Sequence, residues 1–225
     1  MDVIPAGKMS PPGEPGLALR MRNRVAGLHR RAERTGIVAA LMTGSVTQSG
    51  YSLYLRNLLP AYQAMERALF RHRDRAAIAP FAQPALYRAE AIQADLDAIA
   101  PPGWRATLPV VPTAERYAAR IAWAGDACAD LLLAHAYTRY LGDLSGGQIM
   151  RARLQRLFGA DFRATAFADF PAIADVAAFK DGFRIALDAA GQAMHRPDRV
   201  VEEAALAFEM NIQLSGEVAA LSTCT

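Results

Sequence analysis

Three glycines interrupt a strongly helical pattern near the middle of the chain. Residues 117–141 and 148–158 both have the composition of helices, but Gly142, Gly146 and Gly147 lie between them. A glycine in a helix interior costs about 1 kcal/mol relative to alanine. Gly142 and Gly146 are four positions apart, so they share one helix face and leave it without side chains. The stretch therefore predicts either a kinked helix that a flat ligand can approach or a helix–turn–helix break.

The composition favours an all-α fold in one domain. The chain has 225 residues, of which 52% are hydrophobic, and it is rich in Ala, Leu and Arg with few β-branched clusters. The net charge is only +3, and Lys8 and Lys180 are the only lysines among 25 basic residues. This balance suits an anionic ligand or an acidic partner. It is too weak, and lacks the aromatic-interleaved basic stripe, to indicate nucleic-acid binding.

The two ends of the chain predict a protein without membrane segments. Residues 1–16 contain four prolines and three glycines and are expected to form a disordered arm before a helical domain over 17–222. The N-terminus lacks the pattern of a signal peptide, and no run of about 18 apolar residues is long enough to span a bilayer. We therefore expect a cytoplasmic, soluble protein, with a monomer as the default state.

The hydrophobic periodicity and the breaker residues divide the domain into helices. Thr47 or Ser49 is expected to cap the third of them, Pro60 to kink it, and Thr113 to cap the helix that enters the glycine-rich stretch. Gly159 is expected to end that helix. The predicted helices begin at Leu17 and then cover residues 36–43, about 48–73, 84–100, 113–158, 171–190 and 199–221.

His29 is the histidine with the clearest candidate role. It follows Val25 by four positions on the first helix, beside the apolar stripe, and Glu33 lies one turn further along. From the residues alone a core histidine is the commoner explanation, and a metal ligand is the alternative. Among the other histidines only His135, two residues before Tyr137, is a serious rival.

Two segments resemble the signature sequences of the heme oxygenase family. Residues 137–148, YTRYLGDLSGGQ, match the family's kinked distal helix as a block, and Leu28-His-Arg-Arg-Ala-Glu33 is similar to its proximal helix. The resemblance extends from about residue 20 to 215. It implies an all-α, single-domain, multi-helical fold that holds heme between the proximal and the kinked distal helix. It also implies that His29 binds the heme iron and that Glu33 orients the imidazole.

On the distal side the resemblance implies that Asp143 carries the oxygen chemistry by ordering a proton supply, with Tyr62 in the same network. Arg139 precedes Asp143 by four positions, and an ordinary helical ion pair explains this spacing equally well. The bare face of Gly142 and Gly146 would let the distal backbone come close to heme. Ser145 belongs to the same block.

The resemblance also implies contacts at the edges of heme. Its propionates would be held by cations and a hydroxyl at Arg22, Tyr137, Lys180 and Arg184. Phe208 and Asn211 are similar to residues of the family's last helix, where the phenylalanine lines the pocket. Some relatives have a second lysine three residues before the proximal histidine, and here this position is Ala26.

The implied function is oxygen- and electron-dependent opening of heme to biliverdin, carbon monoxide and ferrous iron, with the α-meso carbon favoured as the site of opening. Heme would be both cofactor and substrate, and a ferredoxin, a flavodoxin or a reductase would be the electron donor. The absence of a hydrophobic C-terminal anchor is typical of bacterial members. The alternative is a heme carrier or sensor of the same fold without turnover.

Overall fold

A computed structural model describes residues 14–222 of the chain, and within this range the regular structure is helical. Residues 1–13, most of the expected arm, lie outside the described part. Short 3₁₀ turns lie at 79–81, 84–86, 129–131 and 166–168, and a π-helical segment spans Tyr137–Leu141. The α-helices are α1 Leu17–Ala32, α2 Gly36–Thr43, α3 Gln48–Arg71, α4 Ala89–Ile99, α5 Trp104–Thr107, α6 Pro112–Ala127, α7 Leu132–Ala136, α8 Gly142–Phe158, α9 Val176–Ala193 and α10 Pro197–Ser222.

Helix α3 runs through the centre of the hydrophobic core. Most of its residues are buried, and it packs most extensively against α6 and then against α4 and α10. Thr47 caps it as expected, since the side-chain oxygen accepts a hydrogen bond from the Gly50 amide at 3.0 Å. Pro60 lies within α3 without ending it. Helix α3 thereby presents Tyr62 to the interior.

Helices α1 and α10 pack side by side and join the two ends of the described chain. Arg24 forms a bidentate ion pair with Glu202, and Arg20 pairs with Asp198 one turn earlier on both helices. Ser215 of α10 reaches the start of α2, where its hydroxyl accepts a hydrogen bond from the Val38 amide at 3.1 Å. This arrangement holds the helix that carries His29 against the helix that carries Phe208.

The glycine-rich stretch is neither a turn nor a break. The π-helical residues 137–141 lead directly into α8, which continues through all three glycines to Phe158 and ends at Gly159. The helix–turn–helix alternative was therefore wrong. A π-helix inserts an extra residue into the turn and rotates the side chains that follow, a distortion that is frequent at functional sites.

Other predicted boundaries need correction. The long helix expected over 113–158 is divided by an extended residue at Cys128 and a 3₁₀ turn. The expected cap at Thr113 was wrong, because α6 begins at Pro112 and both Thr113 donors instead bond the Glu217 carboxylate of α10. The helix expected over 171–190 begins at Val176, where Asp175 caps it. At Thr113 a tertiary partner thus took the polar group away from the local position that the sequence suggested.

Candidate functional site

On the proximal side, His29 lies on α1 between a carboxylate and an aromatic ring. Its Nδ1 atom is 3.6 Å from Oε1 of Glu33, and its ring centroid is 5.9 Å from that of Phe208 on α10. The His29 side chain is 55% exposed, so it is not the core histidine that its apolar neighbours suggested. Within residues 14–222 no hydrogen bond to Nε2 is present, which leaves this nitrogen available as a ligand.

On the distal side, the three glycines of α8 divide into two kinds. A β-carbon built on Gly142 or Gly146 would meet no atom within 4 Å outside its own helical turn. A β-carbon on Gly147 would lie 2.5 Å from the carbonyl oxygen of Ala168. Gly147 is therefore a packing residue, which allows α8 to approach the 166–168 turn. Gly142 and Gly146 form an open, side-chain-free face.

A network of buried polar side chains lies beside this face. The Tyr62 hydroxyl donates a hydrogen bond to Asp143, and Nε of Arg139 donates to the Tyr62 oxygen at 2.9 Å. Arg139 also donates to Oδ1 of Asn211 at 2.6 Å and lies 3.8 Å from Oδ1 of Asp143. Residues from α3, the π-helical segment, α8 and α10 thus meet at one point. The helical ion pair expected between Arg139 and Asp143 is one edge of this larger network.

Burial sets the protonation behaviour of the network. It raises the pKa of Asp143 above its usual range, although Arg139 and the hydrogen bond from Tyr62 lower it in part. Burial also raises the pKa of Tyr62, which keeps its hydroxyl protonated and able to donate. Asp143, with a side chain only 9% exposed, is therefore a carboxyl that holds a proton more readily than an exposed aspartate does.

Tyr117 is a member of this network that the sequence did not single out. Its hydroxyl accepts a hydrogen bond from Nδ2 of Asn211 at 3.4 Å, and burial raises its pKa to about 12. Tyr117 lies on the buried face of α6, where an aromatic residue is ordinary. Nothing in the sequence pattern distinguishes it from a core tyrosine, since only the packing of α6 against α10 brings it to Asn211.

The residues assigned to the propionates come from three elements. Arg22 of α1 and Arg184 of α9 are exposed, and their positive charges act on the half-buried hydroxyl of Tyr137, whose pKa burial nevertheless raises. Arg184 also bonds Asp181 at 2.6 Å, and Lys180 lies one turn before it on α9. The arrangement places positive charge and a hydroxyl along one edge of the site. Ser145 lies exposed on α8, beside Gly146.

The rival histidine, His135, is fully buried and bound elsewhere. Its Nε2 atom lies 3.1 Å from Oε1 of Glu203, which is held by a bidentate ion pair with Arg120. Although burial alone would raise it, the pKa of Glu203 is lowered to about 2 by Arg120 and His135. This carboxylate connects α10 to α6 and α7. His135 is a structural residue of the core.

The residues present fit a heme. The open face of Gly142 and Gly146 admits a flat macrocycle, His29 supplies an imidazole nitrogen, and the cations beside Tyr137 suit the two carboxylates of heme. The buried network around Asp143 lies beside the glycine face of α8. Fold and site together are those of a helical heme-binding protein, in which His29 would hold the iron and heme would supply the redox chemistry.

Comparisons with known proteins give the family. Residues 16–217 match the family model described as heme oxygenase. The chain is 35% identical to heme oxygenase 1 of Homo sapiens over 199 residues, which cover 87% of this chain and 69% of the human protein. It is 32% identical to heme oxygenase 1 of Synechocystis over 202 residues, which cover 90% of this chain and 84% of that protein.

Solved structures agree with this assignment. The crystal structure of the Synechocystis heme oxygenase-1 in complex with heme has a TM-score of 0.87 at 31% identity, covering 93% of this chain and 95% of that one. Heme oxygenase from Leptospira interrogans has a TM-score of 0.83 at 28% identity, covering 90% of this chain and 100% of that one. The chain belongs to the heme oxygenase family. It is a biliverdin-producing oxidoreductase for which heme is both substrate and cofactor and which needs an external reductant.

Proposed function

We propose that this chain opens heme at the α-meso carbon, with His29 as the axial ligand and Asp143 as the source of the proton. Heme supplies the iron that activates molecular oxygen and is itself the molecule that is oxidised. The observation that carries the proposal is the buried Asp143 network beside a helix face that lacks side chains. Binding alone would need the open face, but it would not need a buried carboxyl with a raised pKa.

On the proximal side, Oε1 of Glu33 lies 3.6 Å from Nδ1 of His29, which leaves Nε2 as the ring nitrogen that would bind the iron. Phe208 packs against the imidazole and restricts the rotation of the ring. These two contacts come from α1 itself and from α10, which the Arg24–Glu202 ion pair holds in register with α1. The proximal ligand is thereby oriented before substrate arrives.

On the distal side, Asp143 holds a proton at its carboxyl and delivers it toward the open face. Tyr62 orients the carboxyl by donating to it, and Arg139 in turn donates to Tyr62 and to Asn211. Because burial raises the pKa of Asp143, the carboxyl recovers a proton more readily than an exposed aspartate would after it has donated one. We assign Arg139 and Tyr62 to the same catalytic unit.

The cations near Tyr137 would hold the heme propionates and so would orient heme in the site. Arg22 and Arg184 act on this hydroxyl from two different helices, and Lys180 adds a third cation on α9. Ala26 lacks the cation that some relatives have at this position, so one propionate relies on Arg22. Opening at the α-meso carbon is the outcome that the resemblance to the family favours, and anchoring of the propionates by these cations would set it.

Several properties stay predictions from the sequence. The electron donor is expected to be a ferredoxin, a flavodoxin or a reductase, because the exposed arginines suit an acidic partner. A cytoplasmic, monomeric, bacterial protein is also expected. Within residues 14–222 no helix is both long and apolar enough to cross a membrane. The alternative of a heme carrier or sensor without turnover is not favoured by the family relationship.

A hemin titration followed by reductant in air tests the proposal. Wild-type protein should give a shifted Soret band that decays into the absorption of biliverdin, with carbon monoxide released. His29→Ala should abolish the spectrum of the histidine-ligated heme. Asp143→Asn, which keeps the shape of the side chain but cannot act as an acid, should bind hemin normally and lose biliverdin formation by about 10²-fold or more. Asp161→Asn, an exposed control, should behave as wild type, and equal turnover in Asp143→Asn would refute the assigned role.

A further inference from the structure

A second open site lies further along α8, away from the residues that would hold heme. It is a cleft of about 640 Å³ between the C-terminal end of α2 and the second half of α8. A cleft of this volume is within the range that accommodates cofactor-sized ligands. Its walls include Thr43 and Gly44 on one side and Ile149, Arg153, Arg156 and Leu157 on the other.

The cleft continues the side-chain-free face of the distal helix. At 3.6 residues per turn, Ile149 and Arg153 follow Gly146 by three and seven positions and lie on the face shared by Gly142 and Gly146. At 1.5 Å per residue, Arg153 is about 10 Å and Arg156 about 15 Å beyond Gly146 along the helix axis. The cleft therefore lies next to the glycine face, further along the same side of α8.

The cleft combines unpaired cations with exposed apolar side chains. Within residues 14–222 neither Arg153 nor Arg156 forms an ion pair, whereas Arg151 on the same helix pairs with Asp169 at 3.6 Å. No acidic residue follows Asp143 in α8. The large apolar side chains of Ile149 and Leu157 are 51% and 38% exposed. Guanidinium groups beside apolar surface suit a ligand that is itself largely apolar and carries carboxylates.

We propose that this cleft is an exit site for the linear tetrapyrrole product, whose two propionate carboxylates are bound by Arg153 and Arg156. The inference rests on the proposed function, because that reaction produces a dicarboxylate that has lost its iron and with it the bond to His29. The apolar pyrroles would lie against Ile149 and Leu157. The helix face without side chains then serves as a path from the reaction site to the cleft, and no covalent step is involved.

Binding of biliverdin to hemin-loaded protein tests the proposal, since hemin blocks the primary site and no turnover occurs without reductant. Equilibrium dialysis should show that one further equivalent of biliverdin binds. The circular dichroism that binding induces in the visible absorption of biliverdin, above about 600 nm, should report the same equivalent. Arg153→Gln/Arg156→Gln should weaken this binding by about tenfold or more, the factor that one lost charge-assisted hydrogen bond gives. Arg67→Gln/Arg199→Gln, which removes two exposed arginines elsewhere, should leave it unchanged.

The dimethyl ester of biliverdin separates carboxylate recognition from apolar adsorption. Wild-type protein should bind the ester about as weakly as the Arg153→Gln/Arg156→Gln variant binds biliverdin, because the charges on the ligand are then absent. Equal affinity of the two variants for biliverdin, or equal affinity of wild type for acid and ester, would overturn the exit site. If wild-type protein still converts hemin to biliverdin in that case, the proposed function stands; absence of any conversion would instead refute the proposed function itself.

Discussion

Replacing either of two neighbouring glycines of α8 by alanine tests which face of this helix is open. In Gly147→Ala the new β-carbon would lie 2.5 Å from the carbonyl oxygen of Ala168. The 166–168 turn cannot move freely, because the buried carboxylate of Asp95 accepts hydrogen bonds from its first two amides at 2.9 and 2.8 Å. In Gly146→Ala the β-carbon would meet no atom within 4 Å outside its helical turn.

Gly147→Ala should therefore be less stable than Gly146→Ala. Alanine gains about 1 kcal/mol over glycine in a helix interior, and both variants receive this gain. Gly147→Ala also incurs an overpacking cost of about 1–3 kcal/mol. In a protein of this size 1 kcal/mol corresponds to about 2–4 °C in Tm. Heme-free Gly146→Ala should melt about 2–4 °C above wild type, and Gly147→Ala roughly 2–12 °C below Gly146→Ala.

The first measurement is thermal unfolding of the heme-free variants. It is followed by circular dichroism at about 222 nm, the minimum of the helix spectrum, which reports the helical content of the whole fold. A hemin titration gives the second, and here the order reverses. Gly146→Ala should bind hemin more weakly than wild type, because its methyl group stands on the face that the macrocycle needs. If Gly147→Ala melts at or above Gly146→Ala, or if Gly146→Ala keeps the wild-type hemin affinity, the division of the glycines into packing and ligand-facing residues is wrong.

Three further predictions concern single residues. Tyr62→Phe removes the donor to the distal aspartate and should slow biliverdin formation about tenfold with unchanged hemin affinity, measured by single-turnover spectra. Burial raises the pKa of Glu66 from 4.5 to about 7, so the folded state binds more protons than the unfolded state between these pH values, and stability falls as pH rises. Glu66→Gln should remove this pH dependence, which is worth at most roughly 3 kcal/mol. Urea unfolding at several pH values measures it. Gly36 has a φ of +57°, and a β-carbon there would lie 2.2 Å from the Ser215 carbonyl oxygen, so Gly36→Ala should lower the free energy of unfolding by about 2–4 kcal/mol. Gly44 has a φ of +75° but faces open space, so Gly44→Ala should lower it by only about 1 kcal/mol.

Local features of the sequence predicted the parts of the structure that depend on neighbours along the chain. Helix α2 has the expected bounds, since Gly44 adopts the left-handed conformation that ends a helix. Thr47 caps α3, and Glu33 lies beside His29 because four positions make one helical turn. The ion pair between Arg139 and Asp143 follows from the same spacing.

Features that depend on packing escaped the sequence pattern. The π-helical turn at 137–141 and the break at Cys128 occur within a stretch whose periodicity predicts one continuous helix. Thr113 has the composition of a cap, yet its donors bond Glu217 more than a hundred positions away. For Thr113 a tertiary partner satisfied a polar group that the local pattern had assigned elsewhere.

The sequence by itself determined the all-helical class and the bare glycine face, because these follow from composition and from spacing along a single helix. The proximal and distal segments were indicated by the resemblance of two short sequences to the family. Only the tertiary structure decided that Tyr62, Arg139, Asp143 and Asn211 form one buried network, since they come from four elements that meet only in the core. It also decided that Gly147 packs while Gly146 stays open. Two neighbouring glycines of one helix have different roles because only one of them faces another part of the chain. The local sequence pattern does not show which one this is.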